Sequence, residues 1–332
     1  MTNTKTKLMK VGVIWVRDSI NVGDDVQTLA MQEIVERIAP DAEVVWCDRE
    51  SLHEPNTDQL THLIVSGWFM KKPTHWPLHA SYPNPLFVSF HVNKEQKVDV
   101  ALLSKKHQNF WKSHEPIGCR DKGTVESFKN IEVDAWFSGC ATLTFQRKRD
   151  ETFAPYALVV DPFYHIHTKG YEKHQLKRLF GEKPSIELRS MTNADASRPH
   201  KSMQTRIQET RDLLKAICNS TFVLTSRIHI ALPATALGIP VFFVSTGYNR
   251  TENSTDRFDG LVDLFHLIGG DAFPYSSRKR MGKLQRLIGL YRLENSDLSH
   301  LIPSVPSPKD LTQARSIAQS IEQRIADHLT NK

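Results

Sequence analysis

A short polar turn in the second half of the chain carries residue types suited to binding an anion and moving a proton. Thr225, Ser226, Arg227 and His229 follow the apolar segment 221–224 and open a run with helical character. Open α/β sheets bind ligands at such turns, because a strand end and a helix start converge there. The planar guanidinium of Arg227 suits a phosphate or carboxylate, and His229 can exchange a proton near neutral pH. The alternative is structural, with Arg227 paired to an acid and His229 capping the helix.

The elements around this turn predict a strand–helix–strand unit. Segments 221–224 and 241–244 are short and apolar, as expected of buried strands. The helical run between them ends at Gly238, and Pro240 precedes the second strand. The turn therefore lies at the carboxyl end of a buried strand.

The first half of the chain repeats the pattern of an apolar strand followed by polar side chains. Segments 10–16, 62–66 and 86–90 predict strands. The residues that follow them and could meet a ligand are Asn21, Asp24, Asp25, Trp68, His91 and Asn93. They predict a second site at one sheet edge. The structural alternative makes the acids helix caps and His91 a hydrogen-bonded core histidine.

Arg120 and Asp121 lie at another predicted junction between a strand and a helix. This is the end of a helix that attracts anions, so Arg120 is a further candidate for anion binding. The alternative is a structural ion pair between the two, although adjacent residues pair with each other poorly.

Length and patterning together predict two α/β domains. A chain of 332 residues exceeds the size at which one core usually stops growing. The charged run 146–150 is the predicted linker, which gives an N-terminal domain at 1–150 and a C-terminal domain at 151–332. A helix is predicted around 257–267. Ser307 and Pro308 predict the start of a long C-terminal helix that packs back across the body.

Composition limits the partners and the compartment. The formal charge is +6 and the sequence pI is about 9.0, which favours an anionic partner. No apolar run approaches the ~20 residues of a membrane span, and the four cysteines are scattered, so a cytoplasmic protein without structural zinc is expected. The basic segment 278–292 predicts a surface helix or a peripheral contact with the inner face of the membrane. No motif for nucleic-acid binding accompanies it.

The motifs, taken in order, resemble the polysaccharide pyruvyl transferase family. The matching stretches are NVGDDVQTLA at 21–30, GWFM at 67–70, FVSFH at 87–91, HEPIGCRD at 114–121 with Thr124, SGCATLT at 138–144, TSRIHIALP at 225–233 and DRFDGL at 256–261. Each motif alone is weak, but seven in the same order are a specific signal.

The resemblance implies a GT-B-like fold, in which two Rossmann-like domains face a cleft. It also implies transfer of pyruvate from phosphoenolpyruvate to a sugar as a cyclic ketal. We expect this reaction to need no metal or cofactor. The family's Arg-hydrophobic-His triplet maps to Arg227, Ile228 and His229 on the donor side, with Ser226 beside them. Arg120 is the match for a second donor-binding arginine.

The chemistry needs an acid and a base. Protonation of the methylene carbon of phosphoenolpyruvate is assigned to His229, and deprotonation of the sugar hydroxyl to His91 or Asp24. Asn21, Asp25, Trp68 and Asn93 are the expected contacts with the acceptor. The main alternative is a nucleotide-sugar-dependent glycosyltransferase of the same fold class, and a third is a non-catalytic sugar-binding protein.

Overall fold

The structure is a computed structural model that describes residues 8–69, 72–92, 98–147, 155–163, 169–182, 184–244, 255–268 and 307–330. Its contacts divide the chain into two compact units. The first unit comprises residues 1–19, 24–144 and 317–332, and the second comprises residues 20–23 and 145–316.

The first unit alternates strands and helices, as its apolar segments predict. Its strands are β1 (Lys10–Trp15), β2 (Glu43–Asp48), β3 (His62–Phe69), β4 (Pro85–Val92), β5 (Ile117–Cys119) and β6 (Ala135–Phe137). Its helices are α1 (Val22–Ile38, whose first two residues group with the second unit), α2 (Val98–Leu102), α3 (Gln108–Lys112) and α4 (Lys122–Lys129).

The six strands form one sheet in the order β2-β1-β3-β4-β5-β6, and every strand pair in it is parallel. Seven of the eight residues of β4 are buried, as expected when helices cover both faces of a parallel sheet. An aromatic cluster fills one face, where the stacked rings of Trp76 and Trp111 lie 4.8 Å apart and Phe87 and Phe128 pack edge-on against Trp111.

The second unit repeats this architecture. Its strands are β7 (Tyr156–Val160), β8 (Glu187–Met191), β9 (Phe222–Thr225), β10 (Val241–Val244) and β11 (His266–Ile268). Its helices are α5 (Lys169–Phe180), α6 (Met203–Asn219) and α7 (Ile228–Ala236). The sheet order is β11-β10-β9-β7-β8, with parallel pairing throughout. All residues of β7, β9 and β10 are buried.

The α/β prediction is confirmed, and the strand order refines it. Counted within each unit, both sheets contain the order 2-1-3-4-5, which is a doubly wound order. It differs from the order 3-2-1-4-5-6 of the dinucleotide-binding Rossmann fold. In each sheet the strand order reverses between the unit's first and third strands, and this is the point where such sheets bind ligands.

The long C-terminal helix, α8 (Leu311–Thr330), begins later than predicted. It begins after Asp310, whose carboxylate accepts a hydrogen bond from Gln313 N at 2.9 Å, rather than at Ser307 and Pro308. Residues from Ile317 onward belong to the first unit, although the predicted boundary puts 151–332 in one domain. Glu322 pairs there with Arg37 of α1.

The region predicted as a helix around 257–267 is also different. It forms two short 3₁₀ turns, at Thr255–Phe258 and Val262–Leu264, followed by β11. β11 pairs with β10, so hydrogen bonds to a neighbouring strand decide the conformation of residues whose spacing also fits a helix.

Candidate functional site

The reversal point of the second sheet lies between β7 and β9, and the predicted anion-binding turn stands there. Asp161 follows β7 directly, and Ser226 and Arg227 follow β9. The Thr225 hydroxyl donates to Val160 O at 2.6 Å and accepts from Arg227 N at 3.0 Å. These bonds tie the two strand ends together and hold the turn at the start of α7.

Arg227 and Asp161 form an ion pair at this edge. Arg227 Nε donates to Asp161 Oδ2 at 3.2 Å, and both side chains are about 15% exposed. Asp161 Oδ2 also accepts from Asn193 N at 2.9 Å, and the Ser226 hydroxyl donates to Asp161 O at 2.7 Å. Asp161 adopts φ +41°, an uncommon value for a residue other than glycine. The structural alternative is therefore partly realised, since Arg227 does pair with an acid.

Asp161 binds Arg227 through Nε, and a guanidinium also carries four N–H donors on its two Nη atoms. The planar arrangement of these donors matches a carboxylate or phosphate. The hydroxyl hydrogen of Ser226 goes to Asp161 O. The structure therefore supports a turn-fixing role for Ser226 in place of donation to an anion.

His229 and Ile228 lie in the first turn of α7, and both side chains are buried. Gly23, which groups with the second unit, packs directly against His229. A Cβ added at Gly23 would lie 2.8 Å from the Cβ of His229 and 3.1 Å from its Nδ1. The glycine of the 21–30 motif therefore allows the close approach that sets the position of this histidine.

Asn21 acts in the same small region. Its side-chain oxygen accepts from Gly23 N at 3.0 Å and from Asn193 Nδ2 at 2.5 Å. Val22 N donates to Asn193 O at 2.9 Å. Asn21 thus caps α1 and joins it to the loop after β8, and its contact with an acceptor sugar stays a prediction.

The reversal point of the first sheet, between β1 and β3, holds Asp24 and Trp68. Together with Arg49 and Ser66 they line a cavity of about 10 Å³, room for about one water molecule. Arg49 Nη1 donates to Trp68 O at 2.7 Å, and its guanidinium lies 4.9 Å from the centre of the Trp68 ring. A sugar ring does not fit inside this cavity in the conformation described.

Asp24 is held by local hydrogen bonds. Ser19 Oγ donates to its Oδ2, and Gln27 Nε2 lies 3.5 Å from its Oδ1. Burial raises the pKa of the Asp24 carboxyl above its ordinary value, although the Ser19 hydroxyl and the charges of Arg49 and Arg120 act in the opposite direction. Asp24 is therefore easier to protonate than an exposed aspartate.

His91, at the carboxyl end of β4, pairs with Asp121. Its Nδ1 lies 2.6 Å from Asp121 Oδ2 and 3.2 Å from Thr124 Oγ1. Asp121 is the N-cap of α4, and its Oδ1 accepts from Thr124 N and Thr124 Oγ1, both at 2.9 Å. Burial acts to raise the pKa of Asp121, but the His91 ring, Arg120 and the Thr124 N–H outweigh it and hold that pKa below its ordinary value.

Arg120 is buried beside these groups in the first unit, with 2% of its surface exposed. Its Nε lies 3.7 Å from Asp121 Oδ2, too far for a hydrogen bond. In the part of the chain that the structure describes, this Nε is buried without a hydrogen-bond partner. A buried donor left unpaired is costly, so the position favours an anionic ligand over a purely structural ion pair.

Asp25 is fully buried and accepts a hydrogen bond from Trp15 Nε1 at 3.2 Å, so the structure supports a role inside the fold and not contact with an acceptor. Asn93 and the basic segment 278–292 lie outside the described residues.

The sequence comparisons agree with these motifs. The family model for polysaccharide pyruvyl transferase matches residues 21–248, more than half of the chain. The chain belongs to this family. The predicted resemblance is therefore confirmed, and membership indicates a transferase of polysaccharide biosynthesis that moves pyruvate. The DRFDGL stretch at 256–261 lies beyond the matched region.

Two solved structures share low overall similarity with the chain. One is an uncharacterized protein, KP1_0663, from Klebsiella pneumoniae subsp. pneumoniae NTUH-K2044, with a TM-score of 0.43 and 14% identity over 78% of this chain and 94% of that one. The other is the glycotransferase of kitacinnamycin, with a TM-score of 0.41 and 10% identity over 97% of this chain and 98% of that one. Comparison with curated protein sequences gives no match.

Within this member of the pyruvyl transferase family, the structure adds residues that the sequence did not single out. They are Arg49, Asp161 and Asn193. Asp161 carried a usable signal, because an acid directly after a fully apolar strand occupies the edge where ligands bind. Asn193 carried no such signal, because its partner Asn21 lies 172 residues away in the chain.

Within the described ranges, no group of three or more His, Cys, Asp or Glu side chains is arranged to hold a metal ion. None of the helices described combines the length and the apolar character needed to cross a bilayer.

Proposed function

We propose that this protein transfers pyruvate from phosphoenolpyruvate to two hydroxyls of a saccharide, forming a cyclic ketal and releasing phosphate. The observation that carries the proposal is the Arg227–Asp161 pair at the reversal point of the second sheet, one residue before α7 begins. It lies inside the region matched by the family. A small ligand with a carboxylate and a phosphate fits a partly buried arginine at a helix start.

The donor site is built from Arg227, Ile228 and His229. Asp161 holds Nε of Arg227 and fixes the guanidinium, which reduces the rotamer freedom that the side chain would lose when a ligand binds. The N-terminal turn of α7 adds N–H groups that lack partners within the helix. Arg120 as a second donor-binding arginine stays a prediction, and its buried Nε supports an anionic ligand beside it. A GT-B-like arrangement of the two units stays a prediction.

The reaction proceeds by addition and then displacement. His229 gives a proton to the methylene carbon C3 while a sugar oxygen bonds to C2 and loses its proton to a base. Phosphate then leaves with the C2–O electron pair, and the second hydroxyl bonds to the resulting oxocarbenium carbon. The proton of the second hydroxyl leaves with phosphate, so two hydroxyl protons account for the new methyl hydrogen and for phosphate. General acid and base groups each contribute about 10²–10⁴-fold to such steps.

The test is an assay with phosphoenolpyruvate and a panel of saccharide acceptors. We expect phosphate release together with an acceptor product heavier by pyruvate less one water. Arg227→Ala should lower kcat/KM at least about 10²-fold, since it removes a charged bidentate contact. Arg227→Lys should recover only part of the loss, because lysine keeps the charge without the planar fork.

Arg211→Ala is the matched control. Arg211 is an exposed residue of α6 in the same unit, so its loss should leave the rate unchanged. Arg120→Ala tests the second arginine in the same assay. Wild-type rates in Arg227→Ala, or thermal stabilisation by nucleotide sugars and not by phosphoenolpyruvate, would refute the proposal and favour a glycosyltransferase.

A further inference from the structure

The second sheet ends at β8, and this strand has an open outer edge. Among the strands that the structure describes, β8 pairs with β7 alone. Just beyond β8, residues 193 and 195 form main-chain hydrogen bonds with residues 22 and 20, so the open edge is confined to Glu187–Met191. An open edge presents main-chain N–H and C=O groups that can bind a further strand.

One face of β8 carries two opposite charges in a fixed order. Glu187 and Arg189 are two residues apart, so their side chains lie on the same face of the strand. Arg189 Nε and Nη2 donate to the two carboxylate oxygens of Glu187 at 2.8 and 3.0 Å. The guanidinium also lies 3.9 Å from the centre of the Tyr156 ring. The side chain of Glu187 is 54% exposed and that of Arg189 is 38% exposed, so both charges are within reach of a neighbouring strand.

The opposite face of β8 borders a groove. Leu188 and Ser190 line it together with Leu176 of α5 and Pro184 of the connecting loop, and its volume is about 350 Å³. Leu188 packs against the core of the second unit but stays only partly buried. α5 therefore leaves the outer part of this strand uncovered.

A second copy of the chain fits this edge, because β8 is complementary to itself. Two β8 strands related by a twofold axis normal to the sheet run antiparallel, and directly opposed residues then have their side chains on the same face. When the axis passes beside Leu188, Glu187 lies opposite the partner's Arg189. By symmetry, Arg189 lies opposite the partner's Glu187, so two pairs of opposite charges form across the joint.

The neighbouring registers lack this complementarity. An axis beside Arg189 places two arginines opposite each other, and an axis beside Glu187 places two glutamates opposite each other. Like charges in directly opposed positions destabilise a strand pair. A slip of one residue would put opposed side chains on different faces of the sheet. The charges of β8 therefore select the register with Leu188 at the axis.

We propose that two copies of this protein associate through β8, with Leu188 beside the twofold axis, so that two five-stranded sheets join into one continuous sheet. The grooves of the two copies then meet beside the paired leucines. β8 has five residues, whereas a standard interface uses about 20–30 residues a side, so the dimer dissociates readily. This proposal does not depend on the proposed function.

Cysteine cross-linking of the full chain tests the register. Leu188→Cys and Ser190→Cys are matched variants, because both change the groove face of β8, and the four native cysteines are buried. In Leu188→Cys the two new Cβ atoms should lie about 4.5–5.5 Å apart, and mild oxidation should give a disulfide-linked dimer. In Ser190→Cys they should lie about 14 Å apart and stay unlinked. Linkage in Ser190→Cys, or no linkage in either variant, would overturn the proposal.

Sedimentation of the full chain tests the charges. The wild type should form a dimer with Kd between about 1 μM and 1 mM. Glu187→Arg should raise Kd about 10-fold, because two pairs of like charges then face each other. Combining Glu187→Arg with Arg189→Glu should restore the wild-type Kd, since opposite charges are again opposed. A monomer throughout this range, an unchanged Kd in Glu187→Arg, or no recovery in the double variant would refute the pairing.

Discussion

Gly23→Ala should displace His229 and reduce activity, although the same change in a helix normally stabilises a protein. The added Cβ would lie 2.8 Å from the Cβ of His229, a distance that side-chain contacts essentially never show. Reaching an ordinary contact of 3.4 Å requires the two to separate by about 0.6 Å. Since a misplacement of about 1 Å can cost about 10²-fold in rate, we expect kcat to fall about 10-fold.

Gly23→Ala should also lower the stability of the protein. Gly23 lies in the first turn of α1, where alanine in place of glycine would contribute up to about 1 kcal/mol. Overpacking against His229 costs about 1–3 kcal/mol. The net result should be a loss of about 1–2 kcal/mol in the free energy of unfolding, measured by urea titration.

A double-mutant comparison supplies the control. In a His229→Ala background the ring is gone but the Cβ contact remains, so Gly23→Ala should still destabilise the protein and should lower kcat no further. Wild-type kcat with raised stability in Gly23→Ala would refute the reasoning. It would show that the backbone accommodates the methyl group without moving the histidine.

Two further predictions concern the C-terminal helix and the turn that carries Arg227. Burial, with smaller effects from His62 and Arg324, lowers the pKa of His328 in α8 to about 4. Because the unfolded chain takes up this proton at a higher pH than the folded chain, part of the stability present above about pH 6.5 should be lost as the pH falls toward 4. The side chain is partly exposed, so the loss in the free energy of unfolding should be about 1–2 kcal/mol. Urea titrations of His328→Gln should lack this part of the pH dependence. An equal dependence of stability on pH in both proteins would show that His328 does not cause it. Asp161→Asn tolerates the φ of +41° and removes the charge that holds Arg227. The KM of this variant for phosphoenolpyruvate should rise at least about 10-fold, while its free energy of unfolding should change by less than about 1 kcal/mol. An unchanged KM would show that Arg227 does not need Asp161 as a partner.

Much of the local structure could be predicted because it depends on neighbouring residues. β1 begins at Lys10 and β9 and β10 lie where short apolar segments predict them. The prediction of a helix around 257–267 was wrong. Its apolar spacing fits a helix, but hydrogen bonding to β10 makes the end of this region a strand. The start of α8 was wrong for a more local reason, since both Ser307 and Asp310 offer capping side chains and Asp310 is the one used.

By itself, the sequence determined the α/β class, the order of the family motifs, and the placement of Arg227 and His229 after a buried strand. These follow from periodicity and turn chemistry, which act over a few residues. Tertiary structure alone decided the partners of those residues. Asp161 meets Arg227 across 66 residues, and Asp121 meets His91 across 30, because parallel strands bring distant strand ends to one edge of a sheet. No local pattern encodes which strands become neighbours, so the pairings that tune the charges of the site appear only in the folded chain.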